Sequence, residues 1–149
     1  MITGFFLIII FVGLLAGSRA LSIEALGRGA GWVDFVEKER RCCAIIRDNL
    51  EKTGFNTQAH VYCASVTKAI TFLDKEYGII LMDPPYSDMS IGNTVTQLAG
   101  SGLVGKETTL FITHSPRLSM EPGYGPLCLV KEHRHGDSMI AIYRKGESS

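Results

Sequence analysis

Ile79-Ile80-Leu81-Met82 runs directly into Asp83-Pro84-Pro85-Tyr86, and this join decides how the chain is read. A continuous apolar run suits a strand buried on both faces of a parallel sheet, so Tyr77–Met82 is expected as a strand. Asp83 then stands at its carboxyl end, the edge where open α/β sheets bind ligands. Two consecutive prolines fix φ and leave two backbone nitrogens without protons. The segment thus offers acceptors on a stiff frame (the Asp83 carboxylate and backbone carbonyls), with the flat Tyr86 ring beside them. An exocyclic base amine is a double donor with a delocalised lone pair. Two acceptors hold its protons and turn the nitrogen toward an electrophilic methyl group, while an aromatic ring stacks on the base. Asp-Pro also marks a turn in any protein. Its place after the fourth strand of a βα series is what favours chemistry.

Outward from that strand the chain alternates. Phe6–Leu15 reads as a strand, Ala16–Arg19 as a small-residue turn, and Ala20–Arg28 as a helix with Leu21, Ala25 and Leu26 on one face. Trp32–Glu37 is expected as the second strand. Glu39–Thr53 follows as an amphipathic helix with Ile45, Ile46 and Leu50 inward and Gly54 as its C-cap. His60–Cys63 is the third strand, Val66–Lys75 and Ile91–Ala99 are helices, and Thr108–Thr113 is the fifth strand. Pro122–Pro126 reads as a loop. Leu127–Glu132 and Ser138–Arg144 close as an antiparallel pair around Gly136-Asp137. This order implies an α/β fold, a mostly parallel sheet with helices on both faces and a C-terminal antiparallel strand pair. At 149 residues the chain fits one domain, expected over 1–145 with 146–149 as a tail.

With 46% hydrophobic and 20% charged residues the composition is globular. Fifteen basic and fifteen acidic side chains cancel, so any nucleic-acid contact must come from a local patch. Lys131, His133, Arg134, Arg144 and Lys145 form such a candidate. His133 and His135 lack a third ligand, and the cysteines Cys42, Cys43, Cys63 and Cys128 lack metal-pair spacing. No metal is therefore expected, and the four thiols are expected to be reduced and packed. Residues 1–18 carry no charge, and Ser18-Arg19-Ala20 imitates a cleavage site. A basic leading segment is missing, though, and the apolar run is shorter than the roughly 20 residues a membrane span needs. A buried strand and a cytoplasmic protein are the expectation.

Leu15-Ala16-Gly17-Ser18-Arg19-Ala20-Leu21-Ser22-Ile23-Glu24-Ala25-Leu26-Gly27-Arg28-Gly29-Ala30, then Val36-Glu37-Lys38, Asn49-Leu50 and Asp83-Pro84-Pro85-Tyr86, occur in this order. Together they resemble the RsmD-type 16S ribosomal RNA guanine-N2 methyltransferases, from about Leu14 to Tyr143. The resemblance implies a Rossmann-like class I methyltransferase fold, S-adenosyl-L-methionine as methyl donor, and a guanine in small-subunit ribosomal RNA as substrate. It also implies Asp83, Pro84 and Tyr86 as catalytic residues and Pro85 with Tyr86 against the base. Ala16, Gly17, Ser18, Glu37, Lys38 and Ser65 would hold the cofactor. Glu37 has separate support. It lies 20 residues after Gly17, where dinucleotide-binding loops place the acid that accepts from ribose hydroxyls. The implied partner is ribosomal RNA or the small ribosomal subunit, bound by a monomer without membrane contact.

The chain departs from the family pattern at Gly13, where an Asp belongs, and at Arg19, where a Gly belongs. No acidic residue stands near Ala64-Ser65, and the family's basic segment before the first strand has no counterpart. These departures lead us to expect weak cofactor binding and a shortened or degenerate N-terminus. Two other readings stay open: adenine-N6 methylation of DNA, which makes the same demands on an amine, and a non-catalytic RNA-binding relative with an impaired cofactor loop.

Overall fold

The computed structural model describes residues 6–11, 32–84 and 91–146. The expected turn Ala16–Arg19 and helix Ala20–Arg28 lie outside them, as does the stretch of the first strand beyond Phe11.

Strand β1 (Phe6–Phe11) pairs in parallel with β2 (Trp32–Glu37) on one side and β4 (Tyr77–Asp83) on the other. β3 (Ala59–Cys63) extends the sheet beyond β2, and β5 (Val104–His114) extends it beyond β4, both parallel. β8 (Ser138–Lys145), β7 (Leu127–His135) and β6 (Gly123–Tyr124) then add antiparallel strands, giving the order β3-β2-β1-β4-β5-β8-β7-β6. The reversal of strand order next to β1 creates the crevice that Rossmann-like folds use for ligands. The apolar β1 run is thus a central strand, and removing everything through Ala20 would split the sheet.

Helix α1 (Arg40–Thr53) buries Cys42, Cys43, Ile46 and Leu50 at helical spacing. It forms one core cluster with Val33, Phe35, Ala59 and Val61 of β2 and β3; Ile45 is only half-buried. Gly54 ends α1 at φ +79°, where its N–H and that of Phe55 reach the carbonyls of Glu51 and Leu50. The second cluster joins α2 (Val66–Phe72) and α3 (Ile91–Ala99) to β4, β5 and β8 through Ile70, Val95, Leu98, Ile80, Leu110 and Tyr143. Fully burying such side chains contributes on the order of 1.5–3 kcal/mol each.

Several bounds differ from expectation for identifiable reasons. α2 stops at Phe72, not Lys75, because Leu73 turns extended and Lys75 reaches back over the Trp32 ring, 4.7 Å from its centroid. β5 begins at Val104, not Thr108, because a register shift sits opposite Tyr77 and Ile79. Thr108 stitches that irregularity, donating to the Tyr77 carbonyl (2.6 Å) and accepting from Gly105 N–H (2.8 Å). Gly123-Tyr124 is a short strand, not part of a loop. Gly125, at φ +56°, turns the chain so that Tyr124 pairs with Leu127. Cys42 and Cys43 are buried as expected, but Cys63 and Cys128 are exposed; none of the four is in a disulfide.

Candidate active site at the carboxyl edge of the sheet

Four parallel strands end at one level. Cys63 pairs in register with Glu37, Glu37 with Phe11, and Phe11 with Asp83. Glu37 and Asp83 therefore flank β1, two interstrand spacings apart, about 10 Å. Residue Met82 pairs with Ile112, which sets Asp83 beside Thr113 on β5. The Thr113 hydroxyl donates to Asp83 Oδ1, holding the plane of the carboxylate. Pro84 follows, buried, while Pro85 and Tyr86 lie outside the described residues. Ala16, Gly17 and Ser18 lie outside them too, with Gly13 and Arg19.

Glu37 is buried to 1% exposure. Its Oε2 accepts from Glu39 N–H at 2.8 Å. Burial raises its pKa above 4.5, outweighing the backbone amides of Glu39 and Lys38, which act to lower it. Its own carbonyl accepts from Ala64 N–H (3.0 Å) and from the Cys43 thiol (3.2 Å). Burial, with Cys63 close by, pushes that thiol up to about 12 and keeps it protonated. The exposed Lys38 offers its carbonyl to Cys63 Sγ at 3.8 Å. A strand-end carboxylate with about four lone-pair sites keeps acceptor capacity beyond the Glu39 bond, and such an acceptor fits the paired hydroxyl donors of a ribose.

Ser65 sits just past the end of β3, on the same edge. Its hydroxyl caps α2 by accepting from Lys68 N–H at 3.3 Å. A short-helix cap accounts for this serine locally.

Two features of the edge were missed in the sequence. One is the Thr113–Asp83 bond, between residues 30 positions apart. The other is His114, 3% exposed, with Nδ1 2.9 Å from the Ser115 carbonyl and Nε2 3.0 Å from Glu132 Oε2. A carbonyl only accepts, so Nδ1 carries the hydrogen, and Nε2 lies within hydrogen-bond reach of the Glu132 carboxylate. This pair ties the end of β5 to β7. The only available signal was a histidine at a strand end, which does not name its partner. His133 and His135 are exposed on β7. Among the described residues no group of three or more His, Cys, Asp or Glu is placed to hold a metal ion, and no helix is long and apolar enough to cross a membrane.

Comparison with known proteins agrees with this architecture. The chain is 27% identical over 135 residues to the Bacillus subtilis protein named "Putative rRNA methyltransferase YlbH", covering 89% of this chain and 73% of that one. It is 24% identical over 111 residues to the Ribosomal RNA small subunit methyltransferase D of Buchnera aphidicola, 70% of this chain and 55% of that protein. A solved structure of a conserved hypothetical protein from Streptococcus pyogenes superposes with a TM-score of 0.83 at 27% identity, covering 96% of this chain and 87% of that one. The sequence model of the family described as conserved hypothetical protein 95 matches residues 5–144. The chain, with its Rossmann-like class I methyltransferase fold, belongs to this family, the RsmD family.

Proposed function

We propose that this chain transfers a methyl group from S-adenosyl-L-methionine to the exocyclic N2 amine of a guanine in small-subunit ribosomal RNA. The observation that carries the reading is the Asp83 carboxylate, fixed by Thr113 at the end of β4 and level with Glu37. The relatives' names, which specify rRNA and the small ribosomal subunit, support the substrate class. The reading takes residues 1–145 as one catalytic domain acting as a cytoplasmic monomer without a metal.

S-adenosylmethionine, when bound, supplies an electrophilic sulfonium methyl group. Glu37 would accept from its ribose hydroxyls, Lys38 and Ser65 border the same edge, and Ala16, Gly17 and Ser18 would complete the set that holds it. Asp83 and a backbone carbonyl of the Asp-Pro-Pro segment accept the two amine hydrogens. Tyr86 stacks on the base, and Pro84 with Pro85 keeps the frame stiff. The bound donor would supply its methyl carbon to the amine nitrogen with the thioether sulfur as leaving group, and Asp83 would take the proton that the nitrogen sheds. Loss of that proton follows attack, because the nitrogen becomes acidic only once methylated. Orientation supplies most of the acceleration.

Nucleoside analysis of 16S rRNA treated with the parent protein and with Asp83→Asn tests this. N2-methylguanosine with the parent, reduced to under about a tenth by the variant, is the expected result. A parent that forms N6-methyladenosine instead moves the assignment to adenine, since the same acceptors serve either amine. A parent with no transfer, or an Asp83→Asn variant as active as the parent, refutes the reading.

A further inference from the structure

The antiparallel strands beyond β5 carry a feature that the methyl-transfer geometry does not use. Directly opposed residues of antiparallel strands share a sheet face, and faces alternate along each strand. Thr113 opposes Ile140, and Ile140 opposes His133. Phe111 opposes Ile142, and Ile142 opposes Lys131; Thr109 opposes Arg144. The shift between Leu129 and Lys131 leaves Val130 as an extra residue, 59% exposed, and carries Arg144 opposite Cys128. Lys131, His133, His135 and Arg144 therefore lie on the face of the sheet that carries Thr113. All four are exposed. The opposite face turns His114, Ile112 and Leu110 inward, and Glu132 lies on that face too, exposed but bonded to His114. The acid of β7 is thus drawn away, and the outer face of β7 and β8 carries basic and histidine side chains with no acidic one among its described residues.

We infer that this outer face of the β7–β8 hairpin is a docking surface for the phosphate backbone of the RNA on either side of the target nucleotide. The inference rests on the proposed methyl transfer for its orientation. Asp83, Thr113, Ile140 and His133 lie along one line across β4, β5, β8 and β7. His133 is two interstrand spacings from Thr113, about 10 Å, so a strand whose base sits at Asp83 runs its backbone over Lys131 and His133. Lys131 and Arg144 supply charge; His133 and His135 supply ring N–H donors. A chain of zero net charge has no long-range attraction for RNA, so a one-sided arrangement of this kind is what its binding requires.

Titration of a labelled single-stranded RNA across a range of potassium chloride concentrations tests the surface, with Lys131→Gln, Arg144→Gln, the double variant and His133→Gln. Lys52→Gln, on α1 and paired with Asp48 at 2.9 Å, is the control. Each lost cation is expected to weaken RNA binding several-fold and to lower the slope of log affinity against log salt by about 0.7. Calorimetric affinity for S-adenosylmethionine and thermal midpoint should stay at parent values. A double variant with parent affinity and slope, or one matched by Lys52→Gln, overturns the surface. Asp83→Asn separates the two proposals: it should lose methyl transfer while keeping the parent's salt slope, since it removes no cation. Weakened RNA binding in the double variant with no transfer by the parent supports the surface and defeats the methyl-transfer reading. Transfer by the parent with unchanged binding in the double variant does the reverse.

Discussion

Glu37 and Asp83 end β2 and β4 at one level of the sheet, each paired in register with Phe11 of the strand between them. The two carboxylates differ in setting. Glu37 is sealed in at 1% exposure, whereas Asp83 is half-buried and held by a neighbouring hydroxyl. That contrast suits the two roles proposed above, a dry acceptor for sugar hydroxyls and an accessible acceptor for a base amine.

Glu37→Gln should weaken S-adenosylmethionine binding by about tenfold, since a hydrogen bond to a charged group contributes roughly 1.5–3 kcal/mol. The wild-type affinity should also fall as pH drops through the raised Glu37 value, above 4.5, a dependence the variant lacks. Stability runs the other way. A carboxyl whose folded value is raised contributes fully below its unfolded value and loses that contribution as pH rises through the folded value. The ligand-free variant should therefore gain on the parent at neutral pH, with the difference closing toward pH 4.5. Calorimetric titration and thermal melts across that window check both signs.

The fully buried Asp34 accepts from the Tyr77 hydroxyl at 2.5 Å and from the Trp32 indole at 2.7 Å, with Lys75 3.7 Å away. Tyr77→Phe removes one partner of a buried carboxylate and should cost about 1–3 kcal/mol. Burial and Asp34 raise the Tyr77 pKa above its ordinary 10.0. The parent should accordingly lose more stability than the variant as pH rises past that point. Denaturant melts at neutral and alkaline pH measure the difference.

Gly54 sits at φ +79° with nothing within 4 Å of a built Cβ. Gly54→Ala should cost about 1–2 kcal/mol through the backbone alone, and Gly54→Asn less, because asparagine tolerates this region better. Equal melting temperatures for parent and alanine variant would contradict the C-cap account.

Arg19, outside the described residues, stands in the glycine motif where the family has glycine. If the motif needs positive φ there, arginine costs about 1–2 kcal/mol, or roughly one order of magnitude in affinity. Arg19→Gly, and the same change with Gly13→Asp, should tighten S-adenosylmethionine binding by about ten- to hundredfold. Calorimetry showing equal affinities for all three proteins would instead mean that the loop tolerates arginine.

The sequence by itself determined the alternation of strands and helices, the place of Asp83 at a strand end, the acid at Glu37 and the cap at Gly54. Each of these is local: an apolar run, a proline pair, a fixed spacing or a residue type that one backbone conformation demands. Which strands become neighbours is a different kind of information. The Thr113–Asp83 bond exists because β5 lies against β4 in one register. The His114–Glu132 pair and the one-sided basic face exist because β8 and β7 return antiparallel with an extra residue at Val130. The start of β5 moved to Val104 because Thr108 repairs a shift opposite Tyr77. Hydrophobic period tells a strand from a helix but carries no register, and a one-residue slip turns every side chain to the other face. Only the packed sheet, which must bury both of its core faces at once, selects the pairing that sets these side chains around the carboxyl edge.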